Sequence, residues 1–324
     1  LREICRFKLN IDSNLDNSIY QKIFFFLALA LCFSGLFSPP IALAAGLVLS
    51  LTLGAPYPKL NQKVVKYLLQ ASVVGLGFGM NLKTVLQVGG QGLTFTVVSI
   101  SGTFILGYLI GKWLKIPQKL THLISSGTAI CGGSAIAAVG PVVNADDHEM
   151  SVALGTVFIL NSIALFIFPP IGHSLHLTQT QFGFWAAIAI HDTSSVVGAA
   201  AKYGETALQI ATTVKLTRAM WIVPVTIMTA FIFHGKSKKL TLPYFILFFF
   251  VATILRTYVS PIADISHYIV SAAQTGLTIT LFLIGAGLSK HMLRSVGTKP
   301  LILGVILWIL ISVSALFVVI RFVT

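Results

Sequence analysis

Charged side chains are scarce in this sequence, and acidic ones scarcer still: Asp and Glu together number 9 against 22 Lys and Arg in 324 residues. Only 10% of the chain is charged and 56% is hydrophobic, whereas a soluble domain carries about a quarter charged residues. That shortage excludes an ordinary water-soluble fold. The net charge of +13 could suggest nucleic acid, but the Lys and Arg sit in short clusters between apolar runs, with no basic face for a polyanion. Cysteine is rare as well. Cys5, Cys32 and Cys131 show no CxxC or Cys/His spacing, which argues against a disulfide framework and a structural zinc site. Cofactor motifs are missing, a phosphate-binding Lys loop among them, so no cofactor and no direct ATP drive are expected. No nucleophile with a base beside it is evident, and an enzyme is not expected.

What is there is a succession of apolar runs. A spanning helix needs about 17–25 mostly apolar residues, and that ruler gives eleven candidate spans: 23–37, 41–54, 65–81, 92–111, 120–140, 150–169, 183–201, 207–233, 242–257, 268–287 and 301–321. The first two are short and meet at Ser38-Pro39-Pro40, a junction that continues no helix. They form a tight hairpin or a re-entrant pair. Residues 1–22 read as a cytoplasmic N-terminal segment, because polar residues ahead of the first apolar run are the wrong order for a signal peptide. Residues 23–324 read as one transmembrane domain. Basic residues in short loops mark the inside. With the N-terminus inside, sixteen of the 22 Lys and Arg fall on that side, and the 141–149 loop opposite carries Asp146, Asp147 and Glu149. The expected fold is therefore all-α and polytopic, N-terminus inside and C-terminus outside, with the lipid bilayer as its obligatory partner.

Irregular backbone at membrane depth is tolerated only where it lines a cavity or is packed in protein. Two stretches break the apolar pattern. Ser125 to Pro141 holds Gly127, Gly132, Gly133 and Gly140 among small hydroxyl residues and predicts a broken helix with a fresh N-terminus near Gly132, Gly133 and Ser134. His191-Asp192-Thr193-Ser194-Ser195 predicts a second helix start, because Asp, Thr and Ser are N-capping residues. Helix N-termini offer free N–H groups and the positive dipole end, which suits an anion. The structural alternative is close packing through small residues.

A charge inside a span is by default a functional hypothesis. Lys215 and Arg218 lie three residues apart on one helical face within the 207–233 run, where they can neutralise an anion, pair with Asp192, or snorkel to an interface. Asp192 beside His191 suits proton or sodium coupling, since His titrates near neutral pH. An ion pair from Asp192 to Lys215 or Arg218 that only tethers two helices is the competing reading. His122, His173, His176, His234 and His267 read as interface residues and Cys131 as packing.

Internal symmetry is suggested twice. Gly77 to Gly89 resembles Gly285 to Gly297 with inverted topology, while a five-plus-five pairing sets 120–140 against 268–287, where Gln274-Thr275-Gly276 interrupts the apolar run. Together, Gly127-Thr128-Ala129-Ile130-Cys131-Gly132-Gly133-Ser134, His191-Asp192-Thr193-Ser194-Ser195 and Val214-Lys215-Leu216-Thr217-Arg218 resemble the YeiH family of bacterial inner-membrane proteins, from about residue 23 to the end. Members are commonly labelled sulfate exporters. The resemblance implies a relation to transporters with crossed broken helices and a secondary transporter in the bacterial cytoplasmic membrane. Its small-anion site would comprise Gly132, Gly133, Ser134, Ser194, Ser195, Lys215 and Arg218, with His191 and Asp192 for coupling. The alternatives are a sodium/proton-type cation antiporter that uses Asp192 as its ion ligand and a membrane protein without transport activity, and a homodimer is compatible with each.

Overall fold

The computed structural model describes residues 19–54, 56–233, 244–288 and 296–323, which are all-α with no strand among them. In chain order the helices are α1 Ile19–Phe33, α2 Pro39–Thr52, α3 Pro58–Gly77, α4 Leu82–Trp113, α5 Gln118–Ala129, α6 Gly133–Val139 and α7 Asp147–Ser174. They continue as α8 Gln179–Ala189, α9 Thr193–Tyr203, α10 Glu205–Ala219, α11 Ile222–Ile232, α12 Tyr244–Tyr258, α13 Ser260–Gly287 and α14 Thr298–Phe322.

Local chemistry starts these helices where the chain must turn. Proline occupies the first turn of α2, α3 and α13, where its missing N–H has no intrahelical partner to lose. Asp146 with Glu149 and Thr178 with Gln181 form reciprocal capping boxes that open α7 and α8. The double proline at Pro169-Pro170 does not end α7, which runs on to Ser174.

Among the described residues, five segments are long and apolar enough to cross a membrane: Thr96–Trp113 in α4, His148–Ser174, Glu205–Ile232 across α10 and α11, Ser260–Gly287 and Thr298–Phe322. The other expected spans correspond to helices that are short (α1, α2, α12), Lys-bearing (α3), or interrupted (α5 with α6, α8 with α9). The N-terminal expectation for residues 1–22 lies outside the described residues except at 19–22, which belong to α1. Of the repeat signals, the second copy at Gly285 to Gly297 lies partly outside the described residues. The five-plus-five pairing meets a difference: α13 is one helix through Gln274-Thr275-Gly276. Thr275 and Thr278 return their hydroxyls to Ser271 O and Gln274 O one turn back, so no break forms there.

Packing divides the helices into two groups. α2 and α3 lie against α13, and α12 against α3. The α2–α13 crossing is so close that a Cβ on Gly46 would stand 2.1 Å from Phe282 O, and one on Gly285 would stand 2.2 Å from Leu43 O. Backbone touches backbone there. The second group gathers α4, α5, α7, α8, α9, α10 and α14 around two apolar cores that also take in residues of the first group, Leu43, Leu76 and Leu281 in one and Val73, Ile246 and Phe249 in the other. α9 meets the first group, where a Cβ on Gly198 would lie 2.9 Å from Leu281 and 3.3 Å from Pro39.

Candidate functional site

Both interruptions expected from the sequence are present as breaks in otherwise continuous rods. α5 stops at Ala129, Ile130 leaves helical geometry (φ −116°, ψ −88°), and Gly132 adopts φ +65°, ψ −126° before α6 begins at Gly133. Only glycine enters that region without strain. α8 stops at Ala189, Ile190 is extended, and Asp192 (φ −95°, ψ 142°) is the N-cap of α9.

The two breaks touch. A Cβ on Gly132 would lie 3.4 Å from Asp192 Cα and 3.5 Å from its Cβ. α7, which separates the interrupted rods in the chain, packs against α5, α6 and α9. Asn161 on α7 stands behind the second break, its Oδ1 accepting from His191 N at 3.0 Å and Asp192 N at 3.3 Å.

The buried cations on α10 serve the other side of each break. Lys215 is 0% exposed and donates to Ile190 O at 2.8 Å and Ala187 O at 3.3 Å, at the C-terminal end of α8. Arg218, also 0% exposed, donates through one terminal nitrogen to Ala129 O at the end of α5 and through the other to Ser99 Oγ at 3.2 Å. These are the carbonyls a helix end leaves unpaired, at the negative end of its dipole. Snorkelling is therefore not what these residues do. Nor is the tether to Asp192 present: among the described residues no ion pair joins Asp192 to either cation, and its carboxylate accepts from Ser194 Oγ, Ser195 N at 3.2 Å and Ser195 Oγ at 3.4 Å.

The remaining site residues are placed unevenly. Gly133 opens α6 and Ser134 follows it, exposed and outside the buried cluster. Ser194 and Ser195 are buried and already engaged by Asp192. Asp192 itself is only partly buried among fully buried neighbours. His191 is 0% exposed, and both its ring nitrogens lack a partner among the described residues. The same holds for Asn161 Nδ2, Arg218 Nε and Thr128 Oγ1. Buried polar groups are normally paired; five of the unpaired buried atoms among the described residues belong to these four residues, and the other five lie at Thr96, Thr121, Arg256, Trp308 and Ser312. Asn161 escaped the sequence reading, although a lone amide within the apolar run of α7 is the signal that would have found it. Ser99 carries no such signal.

A cavity of about 430 Å³ lies elsewhere, between α4, α5 and α11, lined by Phe104, Tyr108, His122, Trp221, Met228 and Phe233 among others. Its polar feature is His122 Nε2 at 2.8 Å from Thr229 Oγ1. None of the residues at the breaks lines it, and an apolar wall does not suit a small hydrated ion.

A family described as "Conserved hypothetical protein 698" matches residues 23–304. The chain is 60% identical over 281 residues to a "UPF0324 membrane protein" of Bacteroides thetaiotaomicron, covering 86% of this chain and 85% of that one. It belongs to the UPF0324 family. The YeiH resemblance is to this same family. Other UPF0324 membrane proteins are those of Porphyromonas gingivalis, 52% identical with 95% and 97% of the two chains covered, and of Bdellovibrio bacteriovorus, 51% identical with 93% and 94% covered. No solved structure matches. This UPF0324 chain is an all-helical membrane protein.

Proposed function

We propose that the protein is a secondary transporter that binds a small oxyanion of the sulfate or sulfonate kind where the α5/α6 and α8/α9 breaks meet. The observation that carries this reading is the chemistry of what is left unpaired. The carbonyls that would ligate sodium, at Ala129, Ala187 and Ile190, are taken by Arg218 and Lys215. The unpaired buried groups include the N–H bonds of Asn161 Nδ2 and Arg218 Nε, together with the Thr128 hydroxyl and the His191 ring. N–H groups of this kind ligate anions and cannot ligate cations. Broken helices near the midplane are the usual substrate sites of secondary transporters, and charge that deep in a membrane is by default functional. Eleven crossings in a bacterial cytoplasmic membrane, N-terminus inside, complete the reading, with the group of α4, α5, α7, α8, α9, α10 and α14 rocking against α2, α3, α12 and α13.

The test is thermal-shift binding of the purified protein with sulfate, sulfite, thiosulfate, a sulfonate, chloride and sodium, on wild type, Arg218→Ala and Asp192→Asn. Saturable stabilisation by an oxyanion, lost in Arg218→Ala, is expected. Stabilisation by sodium alone, lost in Asp192→Asn, would replace this reading with a cation antiporter.

A further inference from the structure

Asp192 holds a position that a transported anion would want. Its carboxylate sits on the N-terminus of α9, an 11-residue helix, and takes up donors there, Ser194 Oγ and Ser195 N. The amide of Asn161, 3% exposed, is fixed against the same break by its oxygen while its Nδ2 has no partner among the described residues. The α9 end is thus a donor cluster half filled by the protein's own anion.

We infer that Asp192 is a built-in competitor for the substrate, and that the oxyanion binds only together with a proton on Asp192. The inference rests on the anion reading above and adds its coupling. A proton from the aqueous phase adds to the carboxylate, neutralises it, and frees the Ser194 and Ser195 donors for the incoming oxygens. On release the proton departs with the anion and Asp192 recaptures its donors. Charge balance calls for the proton when the substrate is a dianion such as sulfate, since a monoanion would already balance beside ionised Asp192. The dipole ends at the breaks cancel in pairs, two C-termini against two N-termini. With Lys215 and Arg218 charged, the crossing carries two positive charges once Asp192 is neutral, and one while it is ionised. A dianion with one proton closes that balance, whereas a dianion beside ionised Asp192 leaves a surplus negative charge in a buried site.

The ionisable groups around Asp192 are few. His191 shares its break, Lys215 and Arg218 come from α10, and Cys131 lies next to Gly132 in the facing break. α2, α6 and α8 contain no titratable residue. On α7 the nearest to Asn161 are Glu149 and His173, and on α13 Tyr268, His267 and Asp264 lie over three turns from the Leu281 that meets α9.

The experiment is sulfate titration calorimetry on the full chain in detergent, in buffers of different ionisation enthalpy, across pH. About one proton taken up per sulfate is expected, with affinity falling as pH rises. Asp192→Asn should bind sulfate with that slope gone. Sulfate binding without proton uptake in wild type overturns the competition and leaves the anion site standing, and that arm needs no variant. A slope retained in Asp192→Asn also overturns it. No sulfate binding at any pH overturns the anion reading itself.

Discussion

Removing the guanidinium of Arg218 would leave the Ala129 carbonyl at the end of α5 without its partner, inside a region closed to water. A hydrogen bond from a charged donor contributes about 1.5–3 kcal/mol, so Arg218→Met should lower the midpoint of SDS-induced unfolding by a corresponding amount. Arg218→Lys should recover part of it by keeping the charge. Asn161→Leu should cost about 1–3 kcal/mol, because two backbone N–H groups of the second break lose their acceptor, and it should weaken oxyanion stabilisation in the same assay. At this scale the sequence was only partly legible. Asp192, Ser194 and Ser195 declare an N-cap through residue type alone. The destinations of Lys215 and Arg218 do not, since Ala187 and Ala129 lie 28 and 89 residues away in the chain and any helix end offers the same carbonyls. Ser134 shows the converse: its place in a glycine-rich run says nothing about the way it faces, and it faces out.

Between elements, the crossing of α2 over α13 depends on glycine. Gly46→Leu or Gly285→Leu would drive a side chain into facing backbone, which cannot yield as a side chain does. Overpacking costs about 1–3 kcal/mol even where neighbours can shift, so either variant should fail to yield monodisperse protein in size-exclusion chromatography. Gly102→Ala is the matched control: a Cβ there meets nothing within 4 Å, and α4 should gain up to about 1 kcal/mol of helix propensity. The two breaks were visible in the sequence because glycine runs and capping residues interrupt apolar periodicity. Gln274-Thr275-Gly276 looked similar and is not a break. Its threonines turn their hydroxyls onto their own helix, and a single glycine packed closely on Ser72 serves approach between helices. Each half of an interrupted rod is shorter than a bilayer is thick, so only the two halves taken together match the expected spans 120–140 and 183–201.

Over the whole molecule, α2, α3, α12 and α13 stand beside the helices that build the breaks, and α9 lies at the join. Thr213 on α10 touches Met80, between α3 and α4, at 3.5 Å. Joining Met80→Cys to Thr213→Cys with a short bifunctional reagent should leave oxyanion binding intact and abolish uptake into proteoliposomes. Unimpaired uptake after complete crosslinking would mean that the two groups do not move apart there. Within the second group, Lys215 and Arg218 are three residues apart on one helix, about 4.5 Å along its axis, and each holds the loose end of a different rod. α8 and α5 are thereby geared to a single shaft. A turn or slide of α10 would strain both attachments together, so a shift at one half of the crossing is felt at the other.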